Sequence, residues 1–131
     1  MKGVTDGQMK YLVAMYCLKQ KKPGIRSVEL SRMLGVTRAS VNGMLSSLAE
    51  VGLINKERYG HITLTEEGEA IASHLYAGFC AAQDFFSSYL KLEEAQAREA
   101  ALIFLSTQKS ECIQQLKNWM DQPSTSVRSA T

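Results

Sequence analysis

Apolar side chains recur at three- and four-residue steps along most of this chain, a period that predicts helices. Over residues 6–21, DGQMKYLVAMYCLKQK, the spacing of Met9, Leu12, Val13, Met15, Tyr16 and Leu18 predicts an amphipathic helix with Asp6 as its N-cap. The segment KKPG at 21–24 ends it, because proline disfavours helix at the residue before it and Gly24 suits a turn. Ser27 is then expected to cap a short helix, SVELSRMLG, with Val28, Leu30, Met33 and Leu34 available to a core and Gly35 as its stop. After the Gly35-Val36 turn, Thr37 caps a helix running from Arg38 to about Val51, whose inward positions are Val41, Met44, Leu45 and Leu48.

Past Gly52 the period changes. Leu53-Ile54 open a strand that pairs with His61-Ile62-Thr63-Leu64 across a turn at Arg58-Tyr59-Gly60. From Thr65 the helical period returns: Ile71, Leu75, Phe79, Ala82, Phe85 or Phe86, and Tyr89 form an apolar stripe about five turns long. That stripe needs a covering helix from the same chain or from a second one. LEEAQAREAALIFLS at 92–106 and SECIQQLKNWM at 110–120 are two short amphipathic candidates, and the tail after Asp121 has no apolar period and is expected to be disordered. The fold class is therefore mainly α with a small β-wing: a winged helix-turn-helix followed by a helical dimerisation region. The expected domains are residues 1–64 for the winged module, 65–121 for the helical region and 122–131 for the tail.

The face of the Arg38–Val51 helix turned away from the core carries Arg38, Ala39, Asn42, Gly43 and Ser46. A merely solvated face would carry more Glu and Lys, which are better helix formers, and Gly43 in mid-helix costs about 1 kcal/mol relative to Ala. A surface made for close approach to another body accounts for that choice, and in a helix-turn-helix the second helix enters the major groove. Charge supports the same picture. Residues 1–64 hold ten Lys and Arg against four acids, a balance of +6, whereas residues 65–131 hold five against nine, a balance of −4. A basic half beside an acidic half suits a polyanion-binding module joined to an arm that does not bind. Arg38, Ser40, Asn42 and Gly43 are the candidates to approach bases or flanking phosphates; Thr37, Lys56, Arg58 and Tyr59 are the candidates to hold the backbone.

Several classes are excluded or set aside. No apolar run reaches the length of a membrane span, and the N-terminus lacks the apolar region of a signal peptide, so a cytoplasmic protein is expected. Cys17, Cys80 and Cys112 are odd in number and lack any CxxC spacing, which argues against a disulfide framework or zinc finger; three buried small hydrophobes are the simplest expectation. The chain has no Gly-rich phosphate loop, no HExxH and no nucleophile elbow, and His61 and His74 make no catalytic pair, so it is not expected to be an enzyme.

The order of elements, together with the register of YLVAMYCL, VELSRMLGVTRASVNGMLSSLAEVGLI, the wing exit RYGHITLTEEGEAIA and SECIQQLKNW, resembles the manganese- and iron-dependent repressors of the diphtheria toxin repressor family. The likeness runs over about residues 8–120 and is greatest to the small manganese-regulator branch without a C-terminal SH3-like domain. The apolar stripe predicts a two-fold dimer with Ile71, Leu75, Phe79, Phe86 and Tyr89 at the contact, and the likeness implies a transcriptional regulator acting as a repressor on double-stranded DNA. It also implies metal ligands on the first, long and following helices, yet those positions fall on Lys10 and Val13, on Phe79 beside Cys80, and around Ala101, Phe104 and Leu105. No metal or other cofactor is therefore expected, and the effector is unknown. Cys80, with Cys17 or Cys112 near it, is the candidate thiol sensor or soft-metal site. Two other readings stay open: a MarR-like regulator of the multiple-antibiotic-resistance type that answers to a small molecule, and a winged-helix module that binds protein instead of DNA.

Overall fold

The computed structural model describes residues 4–57, 60–107 and 110–120. Helix α1 covers Asp6–Lys19. Its cap is Thr5 and not Asp6: the Thr5 hydroxyl accepts the Gln8 N–H and Gln8 Oε1 accepts the Thr5 N–H, both at 3.1 Å, a reciprocal box that Asp6 has no partner to make. Asp6 takes the first helical position, where its carboxylate meets the positive end of the dipole. The second cap also moves by one residue. Arg26 is the extended cap of α2 (Ser27–Leu34), its N–H held by Glu29 Oε1 at 2.9 Å, and Ser27 is already helical. Gly35 ends α2 at φ 66°, and Thr37 caps α3 (Arg38–Glu50) by accepting the Ser40 N–H at 3.1 Å, both as the sequence predicts.

Strands β2 (Ile54–Lys56) and β3 (His61–Leu64) form the expected hairpin, in the register Ile54↔Leu64, Asn55↔Thr63 and Lys56↔Ile62. A two-residue strand, β1 (Ile25–Arg26), pairs with β3 on its other side and makes the sheet order β1-β3-β2, all antiparallel. Two residues are too few to show an alternation, so the pattern gave no warning of β1. Leu12, Met15, Leu30, Val41, Leu48 and Ile54 are essentially inaccessible and centre the core of this first unit.

Helix α4 (Glu66–Asp84) begins at Thr65, whose hydroxyl accepts the Gly68 N–H at 3.0 Å and donates to Gly52 O at 2.8 Å, while the Thr65 N–H reaches Leu53 O at 3.1 Å. The helix thus starts pressed against the residues that enter β2. A Cβ on Gly68 would stand 2.9 Å from Leu53 C and closer still to its O. The first compact unit ends at Tyr76 and includes the start of α4, with Ile71 and Ala72 packed into its core. Lys19 of α1 pairs with Glu69 of α4 in the same unit.

The second unit begins at Ala77. The α-helical part of α4 does not continue to Tyr89 as the stripe predicted; it widens into a π-helical turn over Phe85–Tyr89. Aromatic rings pack at this turn: Phe85 and Tyr89 stack at 5.3 Å, and Trp119 of α6 stands edge-on to both, at 5.7 and 5.6 Å. Helix α5 covers Glu94–Thr107 and α6 covers Ser110–Met120. They come close to the stripe from within the chain, since a Cβ on Gly78 would meet Ile113 Cγ2 at 2.6 Å and Leu105 Cδ1 at 3.2 Å. Phe79 and Ala82 are accordingly buried. The tail beyond Asp121, like Arg58 and Tyr59, lies outside the described residues.

Candidate nucleic-acid interface

Helix α3 presents one polar face. Its inner positions Val41, Leu45 and Leu48 are buried, so geometry forces Arg38, Asn42 and Ser46 to the outside, one above another at four-residue steps, with Ala39 and Gly43 in the adjacent row. The stripe is about 12 Å long at 1.5 Å per residue. All five residues are exposed, and a Cβ on Gly43 would meet nothing within 4 Å. At the helix start, Thr37 Oγ1 both caps Ser40 N and donates to Ser40 Oγ at 3.0 Å, which fixes two hydroxyls beside the positive end of the α3 dipole. The described ion pairs, Lys19–Glu69 and Lys22–Glu29, involve neither Arg38 nor Lys56.

The inner side of α3 is tied to α1. Gln8, buried to 6% exposure, donates from Nε2 to Ser47 Oγ at 3.1 Å, and a Cβ on Gly7 would touch Met44 Cε at 3.1 Å. The wing is fixed at its base. The Arg26 guanidinium donates to His61 Nε2 at 3.0 Å, which requires that nitrogen to be unprotonated, because a guanidinium has no acceptor. The Glu57 N–H bonds His61 O at 2.7 Å, and Thr63 Oγ1 donates to Glu57 Oε1 at 3.2 Å. Burial tends to raise the Glu29 pKa, but the Arg26 N–H and Lys22 at 3.0 Å hold it below its ordinary value. Lys56 donates from Nζ to Ser46 Oγ at 3.0 Å.

Of the residues singled out from sequence, Thr37, Arg38, Ser40, Asn42, Gly43 and Lys56 come together on this surface, and Arg58 and Tyr59 lie outside the described residues. Sequence reasoning left Ser46 out of the site, although it completes the Arg38-Asn42 step, and Arg26, whose part in the sheet had no pattern to announce it. The helical residues named for a dimer contact divide. Leu75 and Phe79 are 7% and 2% exposed within the single chain, Ile71 and Phe86 are half-buried, and Tyr89 is 40% exposed. Leu90 and Ile103, each 48% exposed, are further apolar surface in the second unit.

The cysteines correct an expectation. Cys17 is half-buried, but Cys80 and Cys112 are exposed; at Cys80 the α4 period that turns Phe79 inward turns its neighbour outward. Cys80 lines an open cavity of about 380 Å³ with Gln83, Asp84, Ser87, Glu94 and Ala97. Where the resemblance places metal ligands, Val13, Phe79, Ala101 and Leu105 are buried apolar side chains and Lys10 is a half-buried cation. None offers an oxygen or imidazole donor, so these residues do not fit a manganese or iron ion. Among the described residues no three His, Cys, Asp or Glu side chains are grouped to hold a metal.

A capped second helix with an open polar stripe, followed by a two-stranded hairpin, defines a winged helix-turn-helix DNA-binding module. Residues 4–62 match the family model described as iron dependent repressor, N-terminal DNA binding domain. An uncharacterised HTH-type transcriptional regulator of Methanocaldococcus jannaschii is 30% identical over 112 residues, covering 85% of this chain and 90% of its own. The chain belongs to the iron-dependent, or diphtheria toxin, repressor family: DNA-binding transcriptional regulators, not enzymes. Among solved structures, the manganese regulator SloR aligns with a TM-score of 0.70 at 21% identity, covering 92% of this chain and 55% of its own. IdeR of T. acidophilum aligns at 0.71 and 22%, covering 93% and 56%, and a hypothetical protein from Sulfolobus solfataricus at 0.53 and 20%, covering 92% of each. At such identities the likeness is one of fold, and this chain spans little more than half the length of the first two. Among the described residues no helix is long and apolar enough to cross a membrane.

Proposed function

We propose that this protein is a cytoplasmic, sequence-specific repressor that binds double-stranded DNA as a homodimer and is not gated by manganese or iron. The observation that carries the DNA-reading part is the exposed Arg38-Asn42-Ser46 stripe on α3, free of any described carboxylate partner and flanked by Lys56. In this mechanism α3 enters the major groove. Arg38, at the first helical position, reaches a base edge with its forked donors, and Asn42 offers both a donor and an acceptor one turn on. Gly43 and Ala39 keep the helix close to the bases, Ser40 serves bases or flanking phosphate, and Thr37, Lys56, Arg58 and Tyr59 hold the backbone.

The dimer contact centres on Tyr89, with Leu90 and Ile103, the exposed apolar side chains of the second unit. The surface of Leu75 and of Phe79 is already used within the chain, and Ile71 and Phe86 are half-covered. Two α3 helices related by a two-fold axis then read half-sites one helical turn apart, or a multiple of it. The apolar side chains at the ligand positions support independence from manganese and iron.

The test is Arg38→Ala measured by fluorescence anisotropy on a selected operator and on a mixed-sequence duplex. Loss of specific binding well beyond the non-specific loss supports base readout, and equal losses refute it. Manganese or iron added to the purified protein should change neither DNA affinity nor melting temperature. A rise of several degrees would overturn metal independence, because a ligand of the native state stabilises it by mass action.

A further inference from the structure

We infer that Ser46 is a positioning residue for DNA binding, whose hydroxyl holds the Lys56 ammonium over the third turn of α3 so that the pair clasps one phosphate of the duplex backbone. The inference rests on the DNA-binding reading above and adds a residue and a ligand atom to it.

The pleat of the sheet makes the contact. Residues two apart on a strand point to one face, so Lys56 shares a face with Ile54, and its direct partner across the hairpin, Ile62, faces that way too. Ile54 and Ile62 are buried at 2% and 3% exposure, which identifies the face as the one turned to the core. Lys56 starts from that face at the rim of the sheet, where the core ends, so it stays exposed while its long stem carries Nζ to Ser46 Oγ at 3.0 Å. Serine is a weaker helix former than Ala or Lys at an exposed third turn. Its hydroxyl here accepts from a neighbouring element.

The donor count then fits a phosphate. Lys56 has three N–H donors and gives one to Ser46, so two remain; the Ser46 hydroxyl accepts from Lys56 and keeps its own proton to donate. Both sets of donors lie at the far end of the Arg38-Asn42-Ser46 stripe, beyond the part of α3 that meets bases. A lysine on a free stem must give up its rotamer freedom on binding. A lysine already held by Ser46 has less to lose, and relief of that cost is worth about two- to tenfold in affinity.

A phosphate contact does not depend on sequence, so a mixed-sequence DNA duplex is a sufficient probe, with affinity measured by anisotropy over a range of salt. Lys56→Ala should lower the slope of log K against log salt by about one. Ser46→Ala should leave the slope unchanged and weaken binding about two- to tenfold in the presence of Lys56, but by clearly less in the Lys56→Ala background, where only the hydroxyl's own donation is lost. Ser46→Thr, which keeps the hydroxyl, should bind as the unaltered protein does. A Ser46→Ala loss of equal size in both backgrounds, or no loss at all, overturns the pairing while leaving DNA binding intact. Absence of salt-dependent binding by the unaltered protein would instead refute the DNA-binding reading, and the pairing with it. Circular dichroism melting of each variant separates these outcomes from misfolding, since both side chains are exposed.

Discussion

Replacing Gly68 with alanine tests the joint between wing and long helix. In an unconstrained helix the change would stabilise by about 1 kcal/mol, because alanine is the better helix former. Here the new methyl would stand 2.9 Å from Leu53 C and 3.3 Å from Leu53 Cα, and nearer still to the carbonyl oxygen, all of them backbone atoms that cannot swing away. A carbon and an oxygen rest at about 3.3 Å, so helix and chain must part by roughly 1 Å. Parting them strains the bonds from Thr65 N to Leu53 O at 3.1 Å and from Thr65 Oγ1 to Gly52 O at 2.8 Å. Each of these is worth about 1 kcal/mol net, and crowding of the neighbouring core adds about 1 to 3 kcal/mol. After the alanine gain is set against them, the variant should be destabilised by about 2 to 4 kcal/mol. Urea unfolding followed by circular dichroism reads this as a lower midpoint at unchanged slope. A midpoint equal to or above that of the unaltered protein would refute the close-approach argument.

Gly43→Ala is the opposite case: nothing lies within 4 Å of the added Cβ, so urea unfolding should show a gain of about 0.5 to 1 kcal/mol, with duplex affinity reduced if the methyl stands on the face proposed to read DNA. Gln8→Ala removes a buried side chain that bonds the N–H of exposed Thr5 and the hydroxyl of half-buried Ser47, and should cost about 1 kcal/mol by the same measurement. For Glu29, whose folded pKa lies below the ordinary 4.5, the stabilising contribution is complete above that value and fades as pH falls through the lowered one. Urea midpoints recorded from roughly pH 6 down to pH 3 should therefore fall less steeply in Glu29→Gln than in the unaltered protein.

The parts of the fold written in long periods were legible, and the parts set by single contacts were not. Four-residue steps in α3 located both its core side and its outer stripe, and the return of the helical period at Thr65, three residues before Gly68, pointed to the start of α4 before the role of that glycine was visible. The structure supplies the reason for that spacing: Thr65 bonds Gly52 and Gly68, and Gly68 admits the Leu53 carbonyl. The caps went astray by one residue because Asp6 and Ser27 are good cap types, whereas the outcome turned on which neighbour carried a glutamine or glutamate three positions on. The π-helical turn was hidden because Phe85 and Tyr89 continue a four-step pattern that an ordinary helix also satisfies. Cys80 could not be placed by its general habit of burial, since Phe79 beside it had the stronger claim on the inward position. Ser46 was placed on the outer face of α3 by the helical period, but its partner was hidden, because Lys56 reaches it from another element.

Trp119, set edge-on against Phe85 and Tyr89, is the one tryptophan in the sequence. Its emission is an optical reporter of the second unit alone, while the first unit, which has only tyrosines such as Tyr11 and Tyr16, is nearly silent when excited at the red edge. Denaturation followed at once by tryptophan emission and by far-ultraviolet ellipticity would reveal whether the two units melt together or in succession. Since Tyr89 is both a neighbour of that indole and part of the proposed contact between copies, dilution through the association range should also change its spectrum, with no label attached.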